Sequence, residues 1–238
     1  MTKASMLRRL KLEDTTFDTI KTAVAQAESK TTGEIALALT AESARYSVYE
    51  LMAALCVGVF AFAVLLPFSG VIQGFLDKVM WGAAVWHLPA FFGISCFGIT
   101  AILFWVANVP AVDRLIIPQS VRRRTVYNRA LRHFVESGVY ATENRSGILI
   151  FVSYMEREVR ILADSGISAK IDPALWNLIA VDLAEGLGTA DATGAFVRAV
   201  ERCGELLAEH FPAPAATEDN PNELPDGLVI LDDEEGEE

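Results

Sequence analysis

The sequence predicts an α/β domain with a small mixed sheet flanked by helices, interrupted by a two-helix transmembrane hairpin. Three observations predict it. Leu51 to Phe68 and Ala90 to Val109 are uncharged apolar runs of 18 and 20 residues, the length that crosses a hydrocarbon core of about 30 Å. Short apolar runs at 35–40, 148–153 and 159–163 read as strands. Around them lie segments whose apolar residues recur every three or four positions, the helical period. Mean hydropathy of +0.32 is too high for an ordinary soluble domain.

The elements follow in order. A charged, helix-like segment opens the chain, and this position of charge argues against a cleaved leader in front of the first apolar run. Phe17, Ile20, Val24 and Ala27 mark a helix over 15–29 that Asp14, Thr15 or Thr16 caps. Thr31-Thr32-Gly33-Glu34 turns the chain into the strand Ile35 to Thr40. The hairpin occupies 49–110, with spans at about 51–68 and 90–109. Between them, 71–88 carries Gln73, Asp77 and Lys78 among apolar residues, with Trp81 and Trp86. That pattern suits a helix lying in the membrane interface, bracketed by Pro67 and Pro89. Buried Asp77 and Lys78 would cost a third span several kcal/mol.

After the hairpin, 118–136 is helical through Val121, Val126, Leu131, Phe134 and Val135. Ile148 to Ser153 is apolar at nearly every position, which implies a strand covered on both faces. Glu156-Arg157-Glu158 turns the chain into a second strand, Val159 to Ala163, ended by Asp164-Ser165-Gly166. Asp172 and Pro173 are N-cap and N1 residues for a helix to about Gly186. Asp191 starts the last helix, and Pro212 and Pro214 close it. One discontinuous domain, 15–40 plus 118–211, is the expected soluble body.

Charge is uneven. Ten of the 31 acids fall in 213–238, which has no Lys or Arg, so the remainder holds 20 basic and 21 acidic residues. The expectation for 213–238 is a disordered acidic tail. Within it Leu228-Val229-Ile230-Leu231 is a strong strand former, suited to adding a strand to a sheet edge of this chain or of a partner. Seven basic residues precede the first span, six follow the second within 114–132, and Lys78 alone lies between. The positive-inside rule then places both termini in the cytoplasm, with the membrane crossed twice. Arg122, Arg123 and Arg124 fix that topology and are placed to touch anionic headgroups. No aromatic platform accompanies them, which excludes a nucleic-acid partner.

Several motifs together carry a resemblance. Gly33-Glu34-Ile35, Thr142 ahead of Ser146-Gly147-Ile148-Leu149-Ile150, Arg157 before Val159 to Gly166, and the Gly186 to Phe196 region occur in this order. In that order they resemble the TPM domain family, in particular its bacterial membrane-protein branch with a transmembrane insert. The resemblance covers about 15–40 and 118–211 and implies an α/β sandwich, in a protein of the bacterial inner membrane. It also implies a link, known for some relatives, to phosphatase activity and calcium.

The residues themselves show no phosphate loop, nucleophile elbow or zinc-protease helix. His87, His133 and His210 are scattered, and Cys56, Cys96 and Cys203 are not in ligand-spaced pairs, which argues against a transition metal and a disulfide framework. Asp164, Glu34 and Glu143 lie at strand ends and are the candidate catalytic or Ca²⁺- or Mg²⁺-binding carboxylates. The plainer reading makes Gly33 and Gly166 turn residues, has Asp164 satisfy turn NH groups and leaves Glu34 facing water. No other cofactor is expected. The leading expectation is a binding or scaffolding module at the bilayer for other membrane proteins, in envelope or membrane-protein maintenance. A phosphatase-type hydrolase is the alternative.

Overall fold

The computed structural model describes residues 2–80, 84–107, 110–142, 144–189, 191–213 and 222–232. They form two compact units, Met1–Arg45 with Ser120–Glu238, and Tyr46–Gln119. In chain order the helices are α1 (Lys3–Leu10), α2 (Asp14–Glu28), α3 (Ser47–Leu65), α4 (Ser69–Val79), α5 (His87–Ala107), α6 (Pro110–Ile116), α7 (Gln119–Glu136), α8 (Ser165–Ser168), α9 (Pro173–Leu187) and α10 (Ala192–His210). The strands are β1 (Glu34–Thr40), β2 (Gly147–Ser153), β3 (Glu158–Ala163) and β4 (Leu228–Leu231).

The first unit is α/β, a four-stranded mixed sheet in the order β3-β2-β1-β4. β1 runs parallel to β2, with Ile35 opposite Ile148 and Leu39 opposite Val152. β2 and β3 form an antiparallel hairpin, with Ile150 opposite Ile161. Alternation along a strand sends neighbouring side chains to opposite faces. Ile35, Leu37 and Leu39 enter the larger core with Ile148, Ile150 and Val152, packed by Ile20 and Val24 of α2, Ile179 and Leu183 of α9, and Phe196, Val200 and Leu207 of α10. Ala38, Leu149 and Phe151 face the other way onto Val126, Ala130 and Phe134 of α7. Every residue of β2 is buried, as its unbroken apolar run predicts.

Caps explain where the helices begin. The Asp172 carboxylate accepts from the Ala174 NH at 2.8 Å, with Pro173 in the first turn. Asp191 does the same for α10 through the Gly194 NH at 2.9 Å. That acceptor bond, with Arg198 beside it, holds the Asp191 carboxyl below the ordinary range. α1 joins the larger core through Met6 and Leu10, a packing role its charged sequence does not announce.

The tail differs from the expectation of disorder. Residues 222–232 are ordered, and Leu228–Leu231 pairs in parallel with Leu37 to Thr40 as β4, the edge strand beside β1. Backbone pairing and burial of Leu224 and Leu228 supply what an acid-rich composition hides. Gly227, at φ +112, makes the turn into the strand. The rest of the expected tail, 214–221 and 233–238, lies outside the described residues.

The second unit holds two helical stretches long and apolar enough to cross a membrane, Ser47–Val79 and His87–Val106. The first is longer than the expected span, because α3 runs through a 3-10 turn, Leu66–Phe68, into α4. Pro67 sits in that turn, where its missing NH costs little. The expected interfacial helix over 71–88 is thus described as α4, ending at Val79. Trp81 and the end of the second expected span at 108–109 fall outside the described residues. α3 and α5 pack against each other, where Phe62 meets Phe92 edge-on with ring centroids 5.7 Å apart. A Cβ on Gly58 would lie 2.3 Å from the Thr100 hydroxyl, so the helices approach through a small residue, as membrane helices commonly do. Their outward surface stays apolar, with Phe97 77% and Trp105 78% exposed.

Candidate functional site

Three strand ends meet at one edge of the sheet. Glu34 opens β1 opposite Gly147 of β2, and the Asp164 NH, just past β3, donates to the Gly147 carbonyl at 3.0 Å. Glu34 and Asp164 therefore stand on either side of Gly147, two strand spacings or about 10 Å apart along the backbone. Gly147 is required between them, because a Cβ there would lie 2.2 Å from the Val139 carbonyl oxygen. The turn Val139–Ala141 fills the space over it.

Each of the two described candidate acids accepts from backbone NH groups. Asp164 is the N-cap of α8 and accepts from the Ser165 NH and, at 3.0 Å, from the Ser165 hydroxyl. Its second oxygen, Oδ2, is buried without a hydrogen-bond partner among the described residues. Glu34 is buried and accepts from the tail's Leu224 NH at 3.3 Å and from the Glu223 NH. Burial raises its carboxyl above the ordinary range, against the pull of those two NH groups. Glu143 lies outside the described residues. Among the described residues no group of three or more His, Cys, Asp or Glu is arranged to hold a metal ion.

The arginine run is drawn onto the sheet rather than left bare. Arg122 Nη1 donates to the Glu156 carbonyl at 3.3 Å, and Arg123 pairs with Glu158 at 3.3 Å. Arg124 is exposed.

Two groups were missed in the sequence. Glu28, at the end of α2, is buried, and its Oε1 accepts from the Ile35 NH at 2.8 Å. Burial first, then the nearby carboxyls of Glu34 and Asp226, push it up to about 8. The signal was present: Glu28 lies four residues after Val24, on the stripe that packs inward. The second group is a knot at the opposite edge of the sheet. Glu156 accepts from the Ser43 NH at 2.9 Å and the Ser153 hydroxyl at 2.6 Å, while the two serine hydroxyls lie 2.7 Å apart. All three residues are at most 2% exposed, so the knot has no access for substrate and closes the ends of β1 and β2.

Comparison with known proteins fits this architecture. Residues 109–206 match the model of the TPM domain. The chain carries a TPM domain. The match spans α7, β2, β3, α9 and most of α10, so β1 and β4, which complete the sheet, come from outside it. The NMR structure of the BA42 protein from the psychrophilic bacterium Bizionia argentinensis is similar in fold, with a TM-score of 0.53 at 16% identity, over 92% of this chain and 95% of that one. No curated protein matches the chain. The resemblance read from the Ser146 to Gly166 motifs falls inside the residues matched to the TPM domain, whereas Gly33-Glu34-Ile35 lies outside them and shares in the likeness of fold.

Proposed function

We propose that this is an integral protein of the bacterial inner membrane, crossing it twice, with both termini and the TPM domain in the cytoplasm. There the domain acts as a binding or scaffolding module for other membrane proteins. The observation that carries the reading is the division of labour within the chain. One unit keeps large apolar side chains exposed along two helices of spanning length, while in the other the candidate acids serve the fold's own backbone. The excess of Lys and Arg before 46 and after 113 supports the cytoplasmic orientation. Photo-crosslinking of the full chain in its native membrane, from exposed positions on α9 such as Leu178, tests it. Discrete crosslinked membrane proteins are the expected result. Recovery of lipid adducts alone, or of no adduct, overturns the scaffold.

A second reading, a phosphatase-type hydrolase working with or without Ca²⁺ or Mg²⁺, is favoured by one observation. Asp164 Oδ2 is buried without a hydrogen-bond partner among the described residues, next to the Oδ1 that Ser165 bonds, and the matched family model is named for a phosphatase. Phosphoester hydrolysis by the purified full chain that disappears in Asp164→Asn would select this reading. Hydrolysis unchanged by Asp164→Asn would remove Asp164 from it.

A further inference from the structure

We infer that residues 222–232 form a proton-gated latch over the outer edge of β1, closed while Glu28 is protonated and opened when it is not. The latch is a small, self-contained module. β4 offers four residues to the ladder, and only Leu228 among them is buried. Leu224 plugs the α7 face of the sheet, and its NH is held by Glu34. Two outer clasps complete it: Lys3 of α1 pairs with Asp232 at 3.0 Å, and Arg129 of α7 donates to the Asp232 carbonyl at 3.2 Å.

Against these attractions stands a crowd of acids. Glu28 from α2 meets Asp226 of the tail in a side-chain hydrogen bond that Glu28 donates when it carries its proton. Glu34 from β1 faces both, and Glu223 of the tail faces Glu34. Lys21, on the same face of α2, lies against Gly227 at the head of β4. On the far side of α2, α10 presents Gly204 to Ala27, too close there for a larger residue. Glu28 is also tethered, because its Oε1 accepts from the Ile35 NH at the start of β1. When the Glu28 proton leaves, negative charge is fixed against the acids of the tail's turn, and the tail is the side that moves. Its departure exposes the NH and CO groups of Leu37 to Thr40, an edge of the kind that accepts an extended segment.

This is beyond the scaffold reading and does not rest on it. Hydrogen exchange on the full chain in lipid nanodiscs, at pH 6 and pH 9 and corrected for intrinsic rates, tests it. The peptide carrying 222–232 should lose about tenfold or more of its protection at pH 9, and clearly more than the β2 peptide 147–153 loses. In Glu28→Gln the loss should vanish. In Asp226→Asn, a change on the tail itself, it should shrink. Equal protection of the tail at both pH values overturns the latch, as does an equal loss in Glu28→Gln. A loss in 147–153 as large as the tail's also overturns it, because that marks general unfolding.

Discussion

Replacing Glu156 with Ala should destabilise the TPM domain by about 2–4 kcal/mol, and replacing it with Gln by about 1 or less. The figure follows from the knot at the end of β1 and β2. Ala removes the acceptor of the Ser43 NH, at 2.9 Å, and of the Ser153 hydroxyl, at 2.6 Å. A buried polar group left unmade costs about 1–3 kcal/mol, and bonds to a charged acceptor lie at the upper end. Two effects reduce the sum. The Ser153 hydroxyl can turn to Ser43 Oγ, 2.7 Å away, and loss of the carboxylate relieves its own desolvation. Gln keeps the shape, its carbonyl accepting from Ser43 and its amide donating to a rotated Ser153 hydroxyl. Cys203 provides the assay. Its thiol is fully buried in the core, and burial pushes its pKa up, so it is inert until the domain opens. Pulsed alkylation across a urea series, with the site resolved by mass spectrometry, gives the midpoint for each variant. An Ala variant within about 1 kcal/mol of the parent chain, or a Gln variant as damaged as Ala, would refute the account of the knot.

Three further outcomes are expected. Glu28 is raised from 4.5 to about 8 in the folded state, so folding favours its protonated form. Its contribution is complete below 4.5 and declines as pH rises toward 8, by at most about 1.4 kcal/mol per unit; urea midpoints by circular dichroism should show this decline, and Glu28→Gln should flatten it. Gly58→Leu would drive a side chain into Thr100, where even a Cβ lies 2.3 Å from the hydroxyl, and should cost the helix pair about 1–3 kcal/mol. Size exclusion of the heated, detergent-solubilised protein should show it aggregating at lower temperature than Gly58→Ala. Asp172→Ala removes the acceptor of the Ala174 NH and should cost about 1 kcal/mol of domain stability, measured by the same Cys203 alkylation.

Periodicity made most of the TPM domain legible. α2, α7, α9 and α10 begin and end within one or two residues of where their apolar spacing puts them, because each buries one stripe; α9 and α10 start at the expected caps Asp172 and Asp191, whereas Glu13 caps α2 in place of Asp14, Thr15 or Thr16. β2 was legible as a central strand because both its faces are apolar. The failures share a physical cause, which is burial created by a distant segment. Glu34 reads as a solvent-facing carboxylate until Leu224 arrives, 190 residues later, to donate to it. Glu156 reads as part of an exposed polar turn, since nothing local shows that Ser43, 113 residues earlier, closes over it. Local composition likewise marked the acidic segment as solvated chain, although Leu228 to Leu231 was legible as an edge strand and pairs with β1 as one.

That last reversal changes what the acidic residues around β4 do. A uniformly solvating tail would place its charges away from other carboxylates, since like charges at close range oppose each other. Here Glu223 and Asp226 are placed beside Glu34 and Glu28, while Asp232 at the far end meets the cations Lys3 and Arg129. The segment is thus attracted at its end and opposed at its turn. Salt separates the two forces. The Lys3–Asp232 pair has side chains 43% and 90% exposed, so added salt screens it, whereas buried Glu28 is screened much less. Raising ionic strength at pH 8 should therefore loosen 228–231 first at Asp232, and Lys3→Gln should reproduce that loosening at low salt. Protection of 228–231 that rises with salt would mean that repulsion among exposed acids outweighs the clasps, and that the clasps hold nothing.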